Sequence, residues 1–158
     1  MIVCGTVGGW GNAGLRAFLE ELFNDDHGDE ERHAVVLAPG SPSAELQVLM
    51  QSPRFRNGVT YLDGNVMSHT DLHRACAHHA AGIFLMCNKY ADAPDAEDSS
   101  TILRALAVKR FVYQRVRTDI FVCAQLIRAE NRVLFHSSMA SISHMARQNS
   151  SRHIEQAD

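Results

Sequence analysis

A short acidic segment, residues 88–98, carries the side chains of this sequence that are best suited to bind a cation. Asp95, Glu97 and Asp98 follow a proline, and Asn88 supplies an amide oxygen a few positions earlier. A hard cation such as Ca²⁺ takes six or more oxygen ligands, of which these four side chains could provide three or four. The segment is therefore a candidate Ca²⁺ or Mg²⁺ site whose remaining ligands come from elsewhere.

The same acids also suit the start of a helix. Negative side chains in the first turn favour the positive end of the helix by roughly 0.3 to 1 kcal/mol each, and proline fits the first helical position. Pro94 and the acids after it therefore make sense without any ion. The residues alone leave both interpretations open.

A glycine-rich stretch near the N-terminus, residues 5–14, contains a literal dinucleotide-binding motif. Gly9, Gly11 and Gly14 match G-x-G-x-x-G between a predicted strand and a predicted helix. The first glycine of such a motif makes the turn at the end of the strand, but Gly5 occupies that position here. The acid expected at the end of the second strand is also missing. We expect a glycine-rich connection without a tightly bound cofactor, and nucleotide binding is the alternative.

Three potential zinc ligands, His69, His73 and Cys76, fall at i, i+4 and i+7 of a predicted helix. No CxxC or HExxH spacing supports a metal, so the pattern favours a solvated helix face with Cys76 turned toward the core. The four cysteines are far apart and lie mostly in apolar runs, which predicts reduced, buried thiols. No G-x-S-x-G sequence is present and no cysteine has a recognisable partner histidine, so we expect no enzyme activity.

The composition predicts one soluble domain. The chain has 158 residues, of which 46% are hydrophobic and 21% charged, and its net charge is -3. This charge provides no positive field for nucleic acid. No apolar run approaches the roughly 20 residues that span a bilayer, and the N-terminus does not resemble a signal peptide. We expect a cytosolic chain without direct membrane insertion.

Short β-branched runs alternate with helical patterns, which is typical of a parallel sheet built from βαβ units. The pattern predicts an α/β fold with a Rossmann-like, doubly wound parallel sheet in strand order 3-2-1-4-5. The loops at residues 5–14 and 88–98 then flank the point where the strand order reverses, at which open α/β sheets bind ligands. Strands are predicted at residues 2–6, 33–38, 59–64, 82–87 and 119–126, and helices at 44–50, after Ser68 and at 95–111.

The chain changes character after about residue 134, where Ser, Gln and His dominate. We divide it into a Rossmann-like lobe, residues 1–136, and a mobile or weakly helical tail, residues 137–158. No sixth strand is predicted in the tail.

The acidic segment carries a family resemblance. NKY at 88–90 and PDAED at 94–98 resemble the ANKYC-x-DPDAED segment of Slo-type calcium- or sodium-activated potassium channels. The similarity continues through TILRALAVK at 101–109 and extends to residues 3–5 and 125–131. It covers roughly residues 2–134 in the correct order. The chain thus resembles an RCK domain, a regulator of potassium conductance.

The resemblance implies a regulatory lobe on the cytoplasmic face of a membrane, coupling cation binding to pore opening. Its partners would be other RCK lobes in a tetrameric gating ring and a potassium-channel pore. In the family, acids of this region contribute to divalent-cation sites whose other ligands lie outside the lobe. The family's acid before the proline is Ala93 here, with Asp92 one place earlier. We expect the isolated lobe to be a monomer or a weak dimer.

Overall fold

Five apolar runs form one parallel sheet in the computed structural model, which describes residues 1–5, 11–24, 26, 32–116 and 120–141, with the backbone alone for 11–13. All four strand pairings are parallel. The strand order is β3-β2-β1-β4-β5, which confirms the predicted order. The strands are β1 (Ile2–Cys4), β2 (Ala34–Ala38), β3 (Val59–Asp63), β4 (Gly82–Leu85) and β5 (Phe121–Ala124).

The helices follow the strands in the expected alternation. Helix α4 is the longest, at 23 residues, and extends past the predicted end because Val112 and Val116 continue its apolar face into the core. The helices are α1 (Gly11–Leu22), α2 (Ala44–Gln51), α3 (His69–Arg74), α4 (Pro94–Val116) and α5 (residues 131–141), with a single 3₁₀ turn (Ala77–His79) between α3 and β4.

Helix α3 starts where the sequence predicts and ends earlier. The Ser68 hydroxyl accepts a hydrogen bond from the amide of Asp71 at 3.3 Å, so Ser68 is the predicted N-cap. The helix stops at Arg74, and Cys76 adopts the left-handed conformation with φ 52°. A left-handed residue cannot continue a right-handed helix. The prediction that His69, His73 and Cys76 share one helix face is therefore wrong.

The two faces of the sheet have separate apolar cores. In β1, Val3 contributes to the core under α1 and α2, while Ile2 and Cys4 contribute to the core under α3, α4 and α5. This alternation follows from the two-residue period of a strand. Because helices cover both faces, the central strands are apolar at nearly every position, as in other parallel sheets.

The prediction of four buried cysteines is half correct. Cys4 and Cys87 are buried, whereas Cys76 and Cys123 are exposed, and all four are free thiols. Cys123 lies on β5, an edge strand of the described sheet, where Phe121 and Cys123 share one face of the strand and are both exposed. Burial raises the pKa of the Cys4 thiol to about 12, which makes it unreactive.

Helix α5 crosses the predicted boundary between lobe and tail at residue 136. Its residues Phe135 and Met139 pack against the core under α4. The predicted tail beyond residue 141 lies outside the described residues, so its character stays a prediction. Of the helices that the structure describes, none combines the length and the apolar character needed to span a membrane.

Candidate functional site

The acidic segment lies at the carboxyl end of β4, next to the end of β1. Helix α4 begins at Pro94, after the connection from β4, so its first turn sits at the point where the strand order reverses. This is the location that the sequence predicts. We call the four candidate residues, Asn88, Asp95, Glu97 and Asp98, the acidic junction.

Asp98 is the centre of the junction and is fully buried. Its carboxylate accepts hydrogen bonds from the backbone amides of Ile127 at 2.7 Å and Arg128 at 3.0 Å, and from the side-chain amide of Asn131 at 2.9 Å. Burial opposes ionisation, but these donors outweigh it, so the pKa of Asp98 is lower than usual. An ionised carboxylate thus ties α4 to the connection between β5 and α5.

Glu97 ties the same turn of α4 to the connection from β4. Its carboxylate accepts a hydrogen bond from the backbone amide of Asn88 at 3.0 Å, and the Arg104 guanidinium lies 3.8 Å from it. The side-chain oxygen of Asn88 accepts from the amide of Tyr90 at 3.1 Å. Both side chains therefore hold the loop before α4.

Asp95 is the most open of the three acids, with a side chain that is 70% exposed. Its carboxylate lies 3.1 Å from the Arg128 guanidinium and 3.3 Å from the side-chain amide of Asn131. Exposed ion pairs of this kind contribute little stability, on the order of 0 to 1 kcal/mol. Asp95 is consequently the acid that contributes least to the stability of the fold and is most accessible to a ligand.

The three carboxylates do not converge on a common centre: Asp95 and Asp98 share the side-chain amide of Asn131, and Glu97 binds the amide of Asn88. Within the described residues, no three His, Cys, Asp or Glu side chains form a group that could hold a metal ion. Asp98 and Glu97 accept hydrogen bonds from groups that a cation would have to displace. The Ca²⁺ or Mg²⁺ site at the acidic junction therefore stays a prediction, and it needs ligands from another chain or segment.

The partners of Asp98 were not recognised from the sequence. Ile127, Arg128 and Asn131 lie 29 to 33 positions further along the chain. The sequence offers one weak indication of this contact, which is Asn131 at the start of a helix that follows the fifth strand. Such an Asn is equally common as a simple helix cap.

The glycine-rich stretch shows little support for a dinucleotide. Gly5 follows β1 and α1 starts at Gly11, while Gly9 lies outside the described residues. A Cβ at Gly14 would meet only the end of the Met86 side chain, at an ordinary 3.8 Å. The third glycine of the motif normally permits close packing of helix on strand, and that packing is not needed here.

The chain turns directly after β2, at the position where a dinucleotide-binding fold would place an acid for the ribose. Gly40 has φ +85°, and its amide donates a hydrogen bond to the Asp63 carboxylate at 2.7 Å. The acid nearest the place of a ribose-binding residue thus comes from β3 and already holds a turn.

The fold has a counterpart among solved structures. The structure of the human SLO3 gating ring superposes with a TM-score of 0.62 at 18% sequence identity, over 87% of this chain and 21% of that one. At this identity the likeness concerns the fold.

Two relatives are similar in sequence. The chain is 30% identical over 132 residues to the calcium-activated potassium channel slowpoke of Drosophila melanogaster, covering 84% of this chain and 10% of the fly protein. It is 31% identical over 115 residues to the calcium-activated potassium channel slo-1 of Caenorhabditis elegans, covering 73% of this chain and 10% of that protein. The chain thus spans about a tenth of the length of these relatives.

The family follows from a match along almost the whole sequence. The sequence model of the RCK domain of slowpoke-like calcium-activated potassium channels matches residues 1–150. Together with the strand order and the fold of the lobe, this match shows that the chain belongs to the slowpoke-like RCK domains.

Proposed function

We propose that this chain is a regulatory lobe of a ligand-activated potassium channel, acting at the cytoplasmic face of the membrane without catalysis. The observation that carries the proposal is the family match over residues 1–150. The lobe converts binding of an intracellular cation into a change of its contacts with neighbouring lobes, and these contacts act on the pore.

The acidic junction supports this role because its hydrogen bonds connect a charged site to α5, a helix that lies far along the chain. Asp98 binds the residues just before α5 and Asn131 in its first turn. Asp95, one helical turn away, contacts the same Asn131. A cation at Asp95 therefore acts on the contacts that position the start of α5.

Helix α5 is suited to transmit such a change to a partner. Phe135 and Met139 face the core, whereas Val133 and Leu134 are 73% and 57% exposed. On α4, Leu103 is also an exposed apolar side chain, at 56%. Large exposed apolar side chains on a helix favour a protein partner. We propose that other RCK lobes bind this surface in a tetrameric ring.

The proposed ligand is Ca²⁺ or Mg²⁺, since carboxylate oxygens suit hard cations. Asp95 is the ligand that the lobe can offer at least structural cost, because it is exposed. The other oxygens come from a neighbouring lobe or from another part of the channel. This explains why the isolated chain would bind the cation weakly.

The test is a chimeric channel in which this lobe replaces the matching lobe of the fly slowpoke channel. Potassium currents are recorded from inside-out patches while Ca²⁺ and Mg²⁺ are varied, and surface labelling establishes that the channels assemble. We expect cation-dependent opening that Asp95→Ala shifts to higher cation concentration. The matched control is Glu130→Ala, which removes an exposed acid nearby. Assembled chimeras in which both variants respond to the cations like the unaltered lobe would contradict the proposal.

A further inference from the structure

Four histidines gather where α3, the 3₁₀ turn and α4 meet, at the opposite end of α4 from the acidic junction. We call this group, together with the α4 residues that it touches, the histidine seam. Its members are His69, His73, His78, His79, Phe111 and Arg115.

His78 is the centre of the seam. Its ring stacks on that of His73 with centroids 5.6 Å apart, and it lies 4.1 Å from the ring of His79. It also meets Phe111 of α4 edge-on at 6.3 Å. One imidazole of the 3₁₀ turn thus contacts both α3 and α4, so its charge state affects the packing of these elements.

The environment of His78 accepts the neutral ring and disfavours the charged one. The Nδ1 atom is buried and has no hydrogen-bond partner in the described part of the chain. A neutral imidazole can leave this nitrogen unprotonated and keep its proton on Nε2. A charged imidazolium carries a proton on both nitrogens, and the Nδ1–H would then be a buried donor without an acceptor.

The charges around His78 act in the same direction. Burial lowers the pKa of its ring, and His79, His73 and Arg115 lower that pKa further, in that order. The Arg115 guanidinium lies over the Phe111 ring, 5.4 Å from its centre.

On the three elements of the seam, the carboxylates that could offset these positive charges are paired or lie at the far end of α4. On α3, Asp71 is paired with Arg74 at 2.8 Å. The acids of α4 are all in its first turn or directly after it, at the acidic junction. The 3₁₀ turn itself contains none.

The backbone beside His78 is also under strain. Cys76, which joins α3 to the 3₁₀ turn, has φ 52° and is the one residue other than glycine with a positive φ in the described ranges. The left-handed conformation is unfavourable for a residue with a side chain, so packing must hold it in place. Weaker packing in the seam would let this connection relax.

We propose that the histidine seam is an acid-sensitive joint, in which neutral His78 holds α3 and the 3₁₀ turn against α4 and its protonation loosens them. A base whose pKa is lower in the folded state takes up its proton in the unfolded state first as the pH falls. Stability is therefore full above the ordinary histidine pKa of about 6.5 and declines below it. The inference rests on the seam alone and stands whether or not the lobe regulates a channel.

The test compares urea unfolding of the 158-residue chain between pH 5 and pH 8 for the native sequence, His78→Gln and His136→Gln. The control histidine, His136, is exposed on α5 and is not a member of the seam. We expect the loss of stability between pH 7.5 and pH 5.5 to be at least halved in His78→Gln and unchanged in His136→Gln. An equal loss in all three proteins would overturn the proposal.

A second measurement needs no variant and covers the case in which His78→Gln does not fold. Proton NMR of the imidazole rings gives the pKa of each histidine in the native chain, and amide exchange at pH 7.5 and pH 5.5 reports local opening. We expect a pKa for His78 below the ordinary value, and greater loss of protection at acid pH in residues 72–80 than in β2. A His78 pKa at or above the ordinary value, with equal protection at both pH values, would refute the joint.

Discussion

Helix α4 carries the buried carboxylate of Asp98 near its start and packs on the His78 ring near its other end, and the two polar groups are treated in opposite ways. At its start, Asp98 is fully buried and receives three hydrogen bonds. Toward its other end, His78 packs against Phe111 with a buried nitrogen that has no partner among the described residues. One site is built for a charged group and the other for a neutral one.

The difference shows that burial alone does not decide the charge of a side chain. Three donors outweigh the desolvation of Asp98 and keep its pKa low, whereas His78 has only burial and positive neighbours, which lower its pKa. As the pH falls, the histidine seam should weaken below about pH 6.5. The acidic junction should hold until the pH approaches the carboxyl range near 4.

The largest effect is expected from Asp98→Ala. The change leaves two backbone amides and the Asn131 side chain without their acceptor, and we expect a loss of about 3 kcal/mol in the free energy of unfolding. Urea unfolding at pH 7 measures it. Asp95→Ala is the matched control, with an expected loss below about 0.5 kcal/mol. Equal losses in the two variants would mean that burial of Asp98 adds nothing.

The acid dependence of Asp98 sharpens the same contrast. Because its folded pKa is lower than its unfolded one, its contribution is present above about pH 3.9 and is lost as the pH falls through the folded pKa. The difference in stability between the native chain and Asp98→Ala should therefore shrink as the pH falls below about 3.9 and through the folded pKa. A difference that stays constant from pH 5 to pH 2.5 would show that folding does not lower the pKa of Asp98.

Asn131→Ala should have the next largest effect. It removes one of three donors to Asp98 and the contact with Asp95, which predicts a loss of about 1 kcal/mol. In the double variant with Asp98→Ala the losses should not add, since the two residues share one bond. Arg132→Ala, at the exposed neighbouring position, serves as the control. Strict additivity would place Asn131 outside the junction.

Near the other end of α4, we predict a substitution that raises the stability of the fold. Cys76→Gly relieves the left-handed strain at the edge of the histidine seam, and we expect the free energy of unfolding to rise by about 0.5 to 1 kcal/mol. Cys76→Ala is the control, because alanine keeps the Cβ and the strain. Thermal unfolding under reducing conditions compares them. Equal stabilities of the Gly and Ala variants would remove the strain from the account of the seam.

The smallest effect concerns cation binding to the isolated lobe. Because the lobe provides only part of a coordination shell, millimolar Ca²⁺ or Mg²⁺ should stabilise it by less than about 1 kcal/mol, and Asp95→Ala should remove that gain. A melting series in each cation tests this. A gain of several kcal/mol would mean that the lobe holds a complete site by itself.

The strands and their order could be predicted because their signal is local. Buried parallel strands are apolar at successive positions, and each predicted strand overlaps the observed one, although it begins or ends up to two residues away. The Ser68 cap is equally local, since donor and acceptor are three residues apart. The family resemblance at residues 88–109 is likewise recognised from consecutive residues alone.

Helix ends were harder to predict. The left-handed Cys76 ended a helical pattern of histidines that looked continuous in the sequence. Residues 131–141 form a helix across the predicted boundary of the lobe because Phe135 and Met139 find a core to pack on. A sparse apolar pattern becomes a helix when a partner surface exists, and that surface is built by other parts of the chain.

The sequence by itself determined the alternation of strands and helices, because apolar periodicity marks each element. The strand order, and with it the position of the acidic segment beside β1, followed from the Rossmann-like fold that this alternation indicates. Only the tertiary structure decided what the buried polar groups do. Asp98 and His78 each lie in or beside a local pattern that predicts a helix. Asp98 meets three donors from 29 to 33 residues away, whereas the buried Nδ1 of His78 meets no hydrogen-bond partner among the described residues. Whether a buried group is charged depends on partners that folding brings together from distant parts of the chain.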